Sequence, residues 1–240
     1  MKIICIIPAR GGSKGLIKKN VRILAGSPLI SWPVKAALNS GVIDDIFVST
    51  DDEEIAKCAR EAGADVPFLR PKDLAQDDTT TEATLSQALK AYEQYKGIKY
   101  DIAVFLTATD VFHHSEWIYD AVNTLKNHPD IESVFSASST HKNYWEEQVD
   151  GSWERILPWM NQYSNRQVRR KIYREDTGLV CASHAKLWRQ GKRIGDKVKI
   201  ILNDLSETAI DIHTEFDLFL AEQAIAYLKQ NHPERVKLFL

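Results

Sequence analysis

Arg10, Lys14, Lys18 and Lys19 crowd into one short stretch with Gly11, Gly12, Ser13, Gly15 and Asn20. Glycines let backbone N–H groups approach anionic oxygens, and the cations supply the charge that phosphate requires. Ser13 and Asn20 add neutral groups that can bond to ribose, base or phosphate. The chemistry is that of holding a nucleoside triphosphate. Two common phosphate loops are excluded, because GxxxxGK[ST] does not occur and Gly11, Gly12 and Gly15 lack the spacing of GxGxxG. The competing reading is a glycine-rich turn with solvated lysines.

Two further groups could do chemistry. Arg166, Gln167, Tyr173, Arg174 and Glu175 lie in NRQVRRKIYREDTG, which packs five cations between Arg166 and Arg174. Paired guanidiniums bind carboxylates bidentately, although a charged run is also what a solvated surface looks like. His113 and His114 adjoin where a loop meets a helical pattern. Such neighbours read as exposed or helix-capping residues ahead of a metal pair.

These residues need elements to hold them. The β-branched run Ile3–Ile7 predicts a strand that delivers the glycine loop at its carboxyl end, where α/β sheets bind ligands. Strand patterns recur at Asp45–Ser49, Ile102–Leu106 and Ser133–Ala137, and helical patterns at Ile30–Asn39, Asp52–Ala62, Thr80–Tyr95 and Ser115–Asn127. Asp51 or Asp52 suits an N-cap and Gly63 a stop. This alternation predicts a parallel sheet covered by helices. The rhythm breaks after Ser138, where Tyr144–Val149 and Ser152–Ile156 flank Asp150-Gly151, a strong hairpin signal. Trp145, Trp153 and Trp159 give that segment more apolar surface than a solvated arm carries, so it caps its own domain or packs on a second subunit. Leu179–Ser183 and Val198–Ile201 return to strand character, Glu215–Gln230 reads as a long helix capped by Thr214, and Val236–Leu240 carries no clear pattern.

Composition bounds the rest. With 240 residues, 44% hydrophobic and 27% charged, the chain can bury one full core. A net charge of −2 gives no global pull toward nucleic acid or an anionic membrane, and neither is expected as a partner. Cys5, Cys58 and Cys181 show no CxxC or zinc spacing and read as reduced core thiols. The first apolar run is too short for a signal peptide and none is long enough to span a bilayer, so the expected location is the cytoplasm.

Arg10 to Gly15, Lys19 and Asn20, followed by Gly26, Pro28 and Leu29, resemble the opening motif of the acylneuraminate cytidylyltransferases, the CMP-sialic acid synthetases and their bacterial relatives. The likeness covers most of the chain. VSTDDEEIA resembles the family's second strand and following helix, although Asp51 there also suits a plain N-cap. Arg70 and Pro71 match an Arg-Pro pair, and Asp78 to Thr81 the polar loop after it.

The resemblance implies a Rossmann-like α/β fold of nucleotide-diphospho-sugar transferase type, with a mostly parallel sheet, helices on both faces and a β-hairpin dimerisation insertion. It implies one domain over 1–240, with 139–172 as the insertion serving dimerisation and the acceptor site. The implied reaction joins CTP to an acidic 2-keto-3-deoxy sugar, a nonulosonic acid such as sialic, legionaminic or pseudaminic acid, in a homodimer. Arg10, Gly11, Gly12, Ser13, Lys14, Asn20 and Arg70 would bind the nucleotide, and Arg10, Lys14, Lys19 and Asp211 would serve catalysis. Lys142, in a loop that matches only loosely, would contact the acceptor together with Arg166, Gln167, Tyr173 and Arg174. The two arginines reproduce the family's spacing of eight positions.

AIDIHTEFD resembles the family's DIDTxxD motif, which implies Mg²⁺ at Asp211, with Mn²⁺ as an alternative ion and Asp110 or His213 as further ligands. Asp217 would face the following helix. Three departures stand out: His213 replaces the second Asp of that motif, Thr107 to Val111 replace QPTSP, and Arg174 to Gly178 replace RENGA. All three fall on the acceptor and metal side. A different acceptor, such as an eight-carbon ketosugar acid, and a non-catalytic nucleotide-binding regulator are the alternatives.

Overall fold

The computed structural model describes residues 1–71, 74, 79–162, 165 and 167–236. Strand β1 (Ile3–Pro8) is apolar on both sides: Ile3, Cys5 and Ile7 enter one core cluster, Ile4 and Ile6 another. A strand of this kind must be covered on both faces. After a small ribbon of β2 (Ile23–Leu24) and β3 (Ser27–Pro28) come α1 (Ser31–Asn39), β4 (Asp45–Ser49), α2 (Glu53–Glu61), α3 (Thr81–Lys96), β5 (Ile102–Phe105), α4 (Ser115–Asn127) and β6 (Ser133–Thr140). The chain continues through β7 (Trp145–Glu147), β8 (Trp153–Arg155), β9 (Ile172–Glu175), β10 (Cys181–His184), α5 (Ala185–Arg189), β11 (Val198–Asn203), α6 (Glu215–Asn231) and α7 (Pro233–Val236).

Helices α1, α2 and α4 bury their apolar sides on the first face, and α3 with α5 on the second. The seven-stranded sheet runs β11-β6-β10-β5-β1-β4, with β9 paired to the far half of β6. β4, β1, β5, β6 and β11 share one direction, while β10 and β9 oppose it. The α/β architecture is as expected. Two features are not: the strand near Leu179–Ser183 is antiparallel, and Ile172–Glu175 is itself a strand. Tyr173, Arg174 and Glu175 are exposed, so no apolar alternation marks β9.

The caps predicted at Asp52 and Thr214 are present, and Thr80, read from the sequence as the first residue of its helix, is a third. Asp52 accepts the amides of Glu54 and Ile55 at the start of α2, Thr80 caps α3, and Thr214 with Asp217 forms a capping box on α6. A third apolar cluster joins Leu16, Leu24, Leu29 and Trp32 to Phe112, Ile212 and the buried side of α6. It packs the residues around the glycine loop against those around Asp211.

β7 and β8 pair off the main sheet, with Glu147 opposite Trp153. Trp145 and Trp153 are 44% and 59% exposed, and among the described residues of 141–171 only Met160 is buried. Residues 139 and 140 and Ile172 belong to β6 and β9, strands of the main sheet. Cys5 and Cys181 are buried thiols and Cys58 is half-buried, none of them in a disulfide. No helix among the described residues is long and apolar enough to cross a membrane. Asp78, Arg166 and residues 237–240 lie outside the described residues.

Candidate active site

A cleft of about 480 Å³ opens at the carboxyl ends of β1 and β5. Its walls include Arg10, Ser13 to Leu16, Lys19 and Asn20 of the loop, Arg70, Thr79, Thr81 and Thr84 at the start of α3, Phe105 and Thr107 to Thr109 at and beyond the end of β5, and His213. Gly11 and Gly12 stand outside the lining. The sequence pattern placed a ligand at this end of the sheet, and the parallel strands deliver these segments there.

Long-range contacts set the loop's shape. The Gly11 N–H donates to Asp51 Oδ1 at 3.0 Å, and the buried Asn20 donates from Nδ2 to the Arg10 carbonyl at 2.9 Å. Asn20 therefore braces the loop as well as lining the cleft. Gly15 is required by proximity, since a Cβ there would lie 2.6 Å from the His213 carbonyl oxygen. Lys18 is committed elsewhere, with its ammonium 2.6 Å from Glu54 on α2.

Arg10, Lys14 and Lys19 all line the cleft. Burial is the main influence on Lys19 and lowers its pKa, Asp211 acts the other way, and Arg10 adds to the lowering. Arg70 is 7% exposed and donates from Nε to Ser49 Oγ at 3.1 Å and from Nη2 to the Ser49 carbonyl. A buried guanidinium without such acceptors would cost several kcal/mol. Arg70 is thus a wall of the cleft and not a surface arginine.

The acidic side is assembled by a short backbone pairing. Asp110 bridges Asp211 across an isolated antiparallel pair, and the Ile212 N–H donates to the Thr109 carbonyl at 3.1 Å. His213 Nε2 lies 2.8 Å from Asp211 Oδ2, and its peptide N–H donates to Asp217 Oδ2 at 3.0 Å. Asp217 faces its helix as expected, and these donors hold its carboxyl below the usual range. Asp110 Oδ2 accepts from the Thr107 hydroxyl at 2.7 Å. Burial pushes the Asp110 carboxyl up to about 6; the Thr107 hydrogen bond pulls it down, while Asp211 and Asp176 push it up. A Cβ on Gly178 would fall 1.9 Å from that Oδ2. Among the described residues no three His, Cys, Asp or Glu side chains converge as metal ligands.

The two adjacent histidines correct an expectation, for both are buried and not exposed. The ring nitrogens of His113 lie 2.9 Å from the Thr107 and Leu179 carbonyls, tying the turn after β5 to the turn before β10. His114 stacks on Trp117 with ring centroids 4.4 Å apart and makes no side-chain cap bond. Burial lowers both, His114 to about 4.

The acceptor residues expected from the arginine-rich segment are not brought to the cleft. Lys142, Gln167, Tyr173 and Arg174 are exposed and absent from its walls, and Arg166 lies outside the described residues. Arg174 is occupied by its own neighbour, with Nε and Nη2 at 2.9 and 2.7 Å from Asp176 Oδ1. Among the described residues of 141–171 only Met160 is buried, and Tyr173 and Arg174, on β9, keep exposed side chains. Residues that sequence reasoning missed are Asp51 as a loop brace, Thr107 as a partner of Asp110, and the threonines opening α3. The polar run after Arg70 was the only signal for the last.

The sequence profile of a family described as Cytidylyltransferase matches residues 4–233. The chain is 34% identical over 229 residues to the CMP-N,N'-diacetyllegionaminic acid synthase of Legionella pneumophila, covering 93% of this chain and 96% of that protein. It is 32% identical over 247 residues to the N-acylneuraminate cytidylyltransferase A of Danio rerio, covering 99% of this chain but 55% of that longer protein. Among solved structures, CMP:2-keto-3-deoxy-manno-octonic acid synthetase complexed with CTP superposes with a TM-score of 0.68 at 12% identity, covering 95% of this chain and 99% of that one. That likeness establishes the fold.

Proposed function

This chain belongs to the cytidylyltransferase family, and on that premise we propose that it condenses CTP with an acidic nine-carbon keto sugar, a nonulosonic acid, giving the CMP-sugar and pyrophosphate. The observation that carries the reading is the convergence of Arg10, Lys14 and Lys19 on one cleft at the carboxyl ends of β1 and β5, in a chain that matches a CMP-nonulosonic acid synthase almost end to end. The acceptor's anomeric hydroxyl oxygen forms a bond to the α-phosphorus and gives up its proton to water, the bond from that phosphorus to the bridging oxygen breaks, and pyrophosphate leaves. Catalysis of this kind rests on positioning and charge neutralisation. Arg10 and Lys14 hold the phosphates, Lys19 neutralises charge developing near the α-phosphate, and Asn20 with Arg70 fixes the nucleoside.

Mg²⁺ belongs to the same proposal. The residues present fit an ion held by the Asp211 carboxylate with substrate oxygens and water, a donor set Mg²⁺ favours. When bound, it would neutralise charge on the triphosphate as pyrophosphate departs. Asp211→Asn should then abolish Mg²⁺-dependent turnover, and His213→Asp should preserve it. A wild type that prefers Mn²⁺ or Co²⁺ would instead make His213 a direct ligand. The exposed tryptophan hairpin supports a homodimer, and the unpaired thiols suit a reducing cytoplasm.

The deciding experiment measures pyrophosphate release with the four nucleoside triphosphates against nonulosonic acids and an eight-carbon ketosugar acid. The expected result is release with CTP and a nonulosonic acid. Release confined to the eight-carbon acid would reassign the acceptor, and nucleotide binding without release under any combination would replace the enzyme with a binding protein.

A further inference from the structure

Arg193 lies outside every motif the sequence offered. Its carbonyl accepts from Ser183 Oγ at 2.6 Å and from Trp188 Nε1 at 3.1 Å, which fixes its backbone to β10 and α5. From there the guanidinium reaches three separate parts of the cleft's frame. Nη1 donates to Thr177 Oγ1 at 3.0 Å. Nε lies 3.4 Å from Glu82 Oε1, in the first turn of α3 between the wall residues Thr81 and Thr84. Cζ sits 5.3 Å over the ring of Phe105, another wall residue.

The Arg193 side chain is 20% exposed and that of Glu82 38%, so solvent screens the ion pair in part and the hydrogen bond to Thr177 and the ring contact do most to fix the guanidinium. Only a planar fork can hydrogen-bond a hydroxyl and lie beside a carboxylate while stacking on a ring; a lysine ammonium would satisfy one of these contacts at a time. Thr177 connects the contact to the wall beyond β5. It follows Asp176, which holds Arg174, and precedes Gly178, whose carbonyl accepts the Thr107 N–H at 3.0 Å.

We propose that Arg193 is a positioning residue for cytidylyl transfer: it stands behind the cleft's walls and sets the distance between the start of α3, on one side, and the turn at residues 176–178, which holds Thr107 of the opposite wall. This deepens the function proposed above and rests on it. Displacing two reacting groups by about 1 Å costs on the order of 10²-fold in rate, even where each still binds. The predicted signature is a fall in kcat without a matching loss of affinity.

The test uses Arg193→Met, Arg193→Lys and Thr177→Val in the full chain. Pyrophosphate release by the wild type with CTP and a nonulosonic acid tests the proposed reaction by itself, and variant-to-wild-type ratios test Arg193. Arg193→Met should lower kcat by about 10-fold to 10²-fold, with the CTP Kd from calorimetry and the acceptor KM within about threefold of wild type. Arg193→Lys should recover part of that loss at most. Thr177→Val removes only the hydroxyl; it should lower kcat by a smaller factor and add nothing on the Arg193→Met background. A lower melting temperature with unchanged kcat would make Arg193 merely structural and overturn the proposal, as would a loss confined to CTP Kd or acceptor KM. Should Arg193→Met fail to fold, Thr177→Val decides alone, and an unchanged kcat in it refutes the proposal.

Discussion

Lys19 is pulled in two directions, because burial and Arg10 disfavour its charge while Asp211 favours it. A cation held half-buried at the place where charge develops acts without first reorganising water, which is where such groups have their largest effect. Lys19→Ala should lower pyrophosphate release by about 10²-fold and leave the melting curve unchanged. Release at the wild-type rate would remove Lys19 from the mechanism. Asp110 makes a different prediction. Its carboxyl titrates near 6 in the fold against an ordinary value of 3.8, so the folded state holds that proton more tightly than the unfolded chain. Stability must therefore fall as pH rises between those two values and stay lower above them. Asp110→Asn should erase this slope, matching wild type at about pH 3 and exceeding it at pH 7 by on the order of 3 kcal/mol. Denaturant unfolding at the two pH values reads the difference directly; an identical gap at both would mean the carboxyl titrates as it does in water.

The glycine loop and the segment around Asp211 behave as a single device. Ile212 is tied by its amide to Thr109 and His213 to Asp217, so the carbonyl facing Gly15 cannot rotate away. Gly15→Ala should cost about 1–3 kcal/mol in stability and reduce turnover, because the added methyl meets backbone and not a mobile side chain. Gly12→Ala is the control, since a Cβ there meets nothing within 4 Å, and its stability should stay within about 0.5 kcal/mol of wild type. Parallel thermal melts of the two variants check the pair. The motif was legible from its glycines and cations, but the distinct tasks of those glycines were not, because each depends on a segment remote in the chain. β9 was hidden for another reason: its exposed side chains leave no alternation for a pattern to register.

Among the described residues, exposed apolar side chains gather on α6, on β11 and on the hairpin of β7 and β8, and the hairpin alone carries tryptophans. Trp153 is 59% exposed, and Trp145 is covered on one side by the Arg155 guanidinium at 4.1 Å from the ring centroid. Large aromatic side chains left in water are unusual on a monomer and are frequent anchors of interfaces. Sedimentation at micromolar concentration should find a symmetric dimer, and Trp153→Ala should weaken it by about tenfold or more in Kd. A monomer, or a dimer indifferent to that substitution, would leave the hairpin as a solvated arm.

Local order in the chain determined the glycine-rich phosphate loop, the alternation of strands and helices, the caps at Asp52 and Thr214, and the hairpin around Asp150-Gly151. Periodicity and capping are properties of neighbours a few residues apart, so a single sequence displays them. Only the tertiary structure decided that Asp51 braces Gly11, that Asp110 lies beside Asp211, that both histidines are buried, that Arg193 joins three parts of the cleft's frame, and that Arg174 faces Asp176 instead of the cleft. Each of these depends on which strands pair and which turns meet at the sheet's carboxyl edge. The exception is Arg174, whose partner stands two residues away. There the sequence offered both residues, but the choice between an internal carboxylate and a substrate depended on where β9 points its side chains once it pairs with β6.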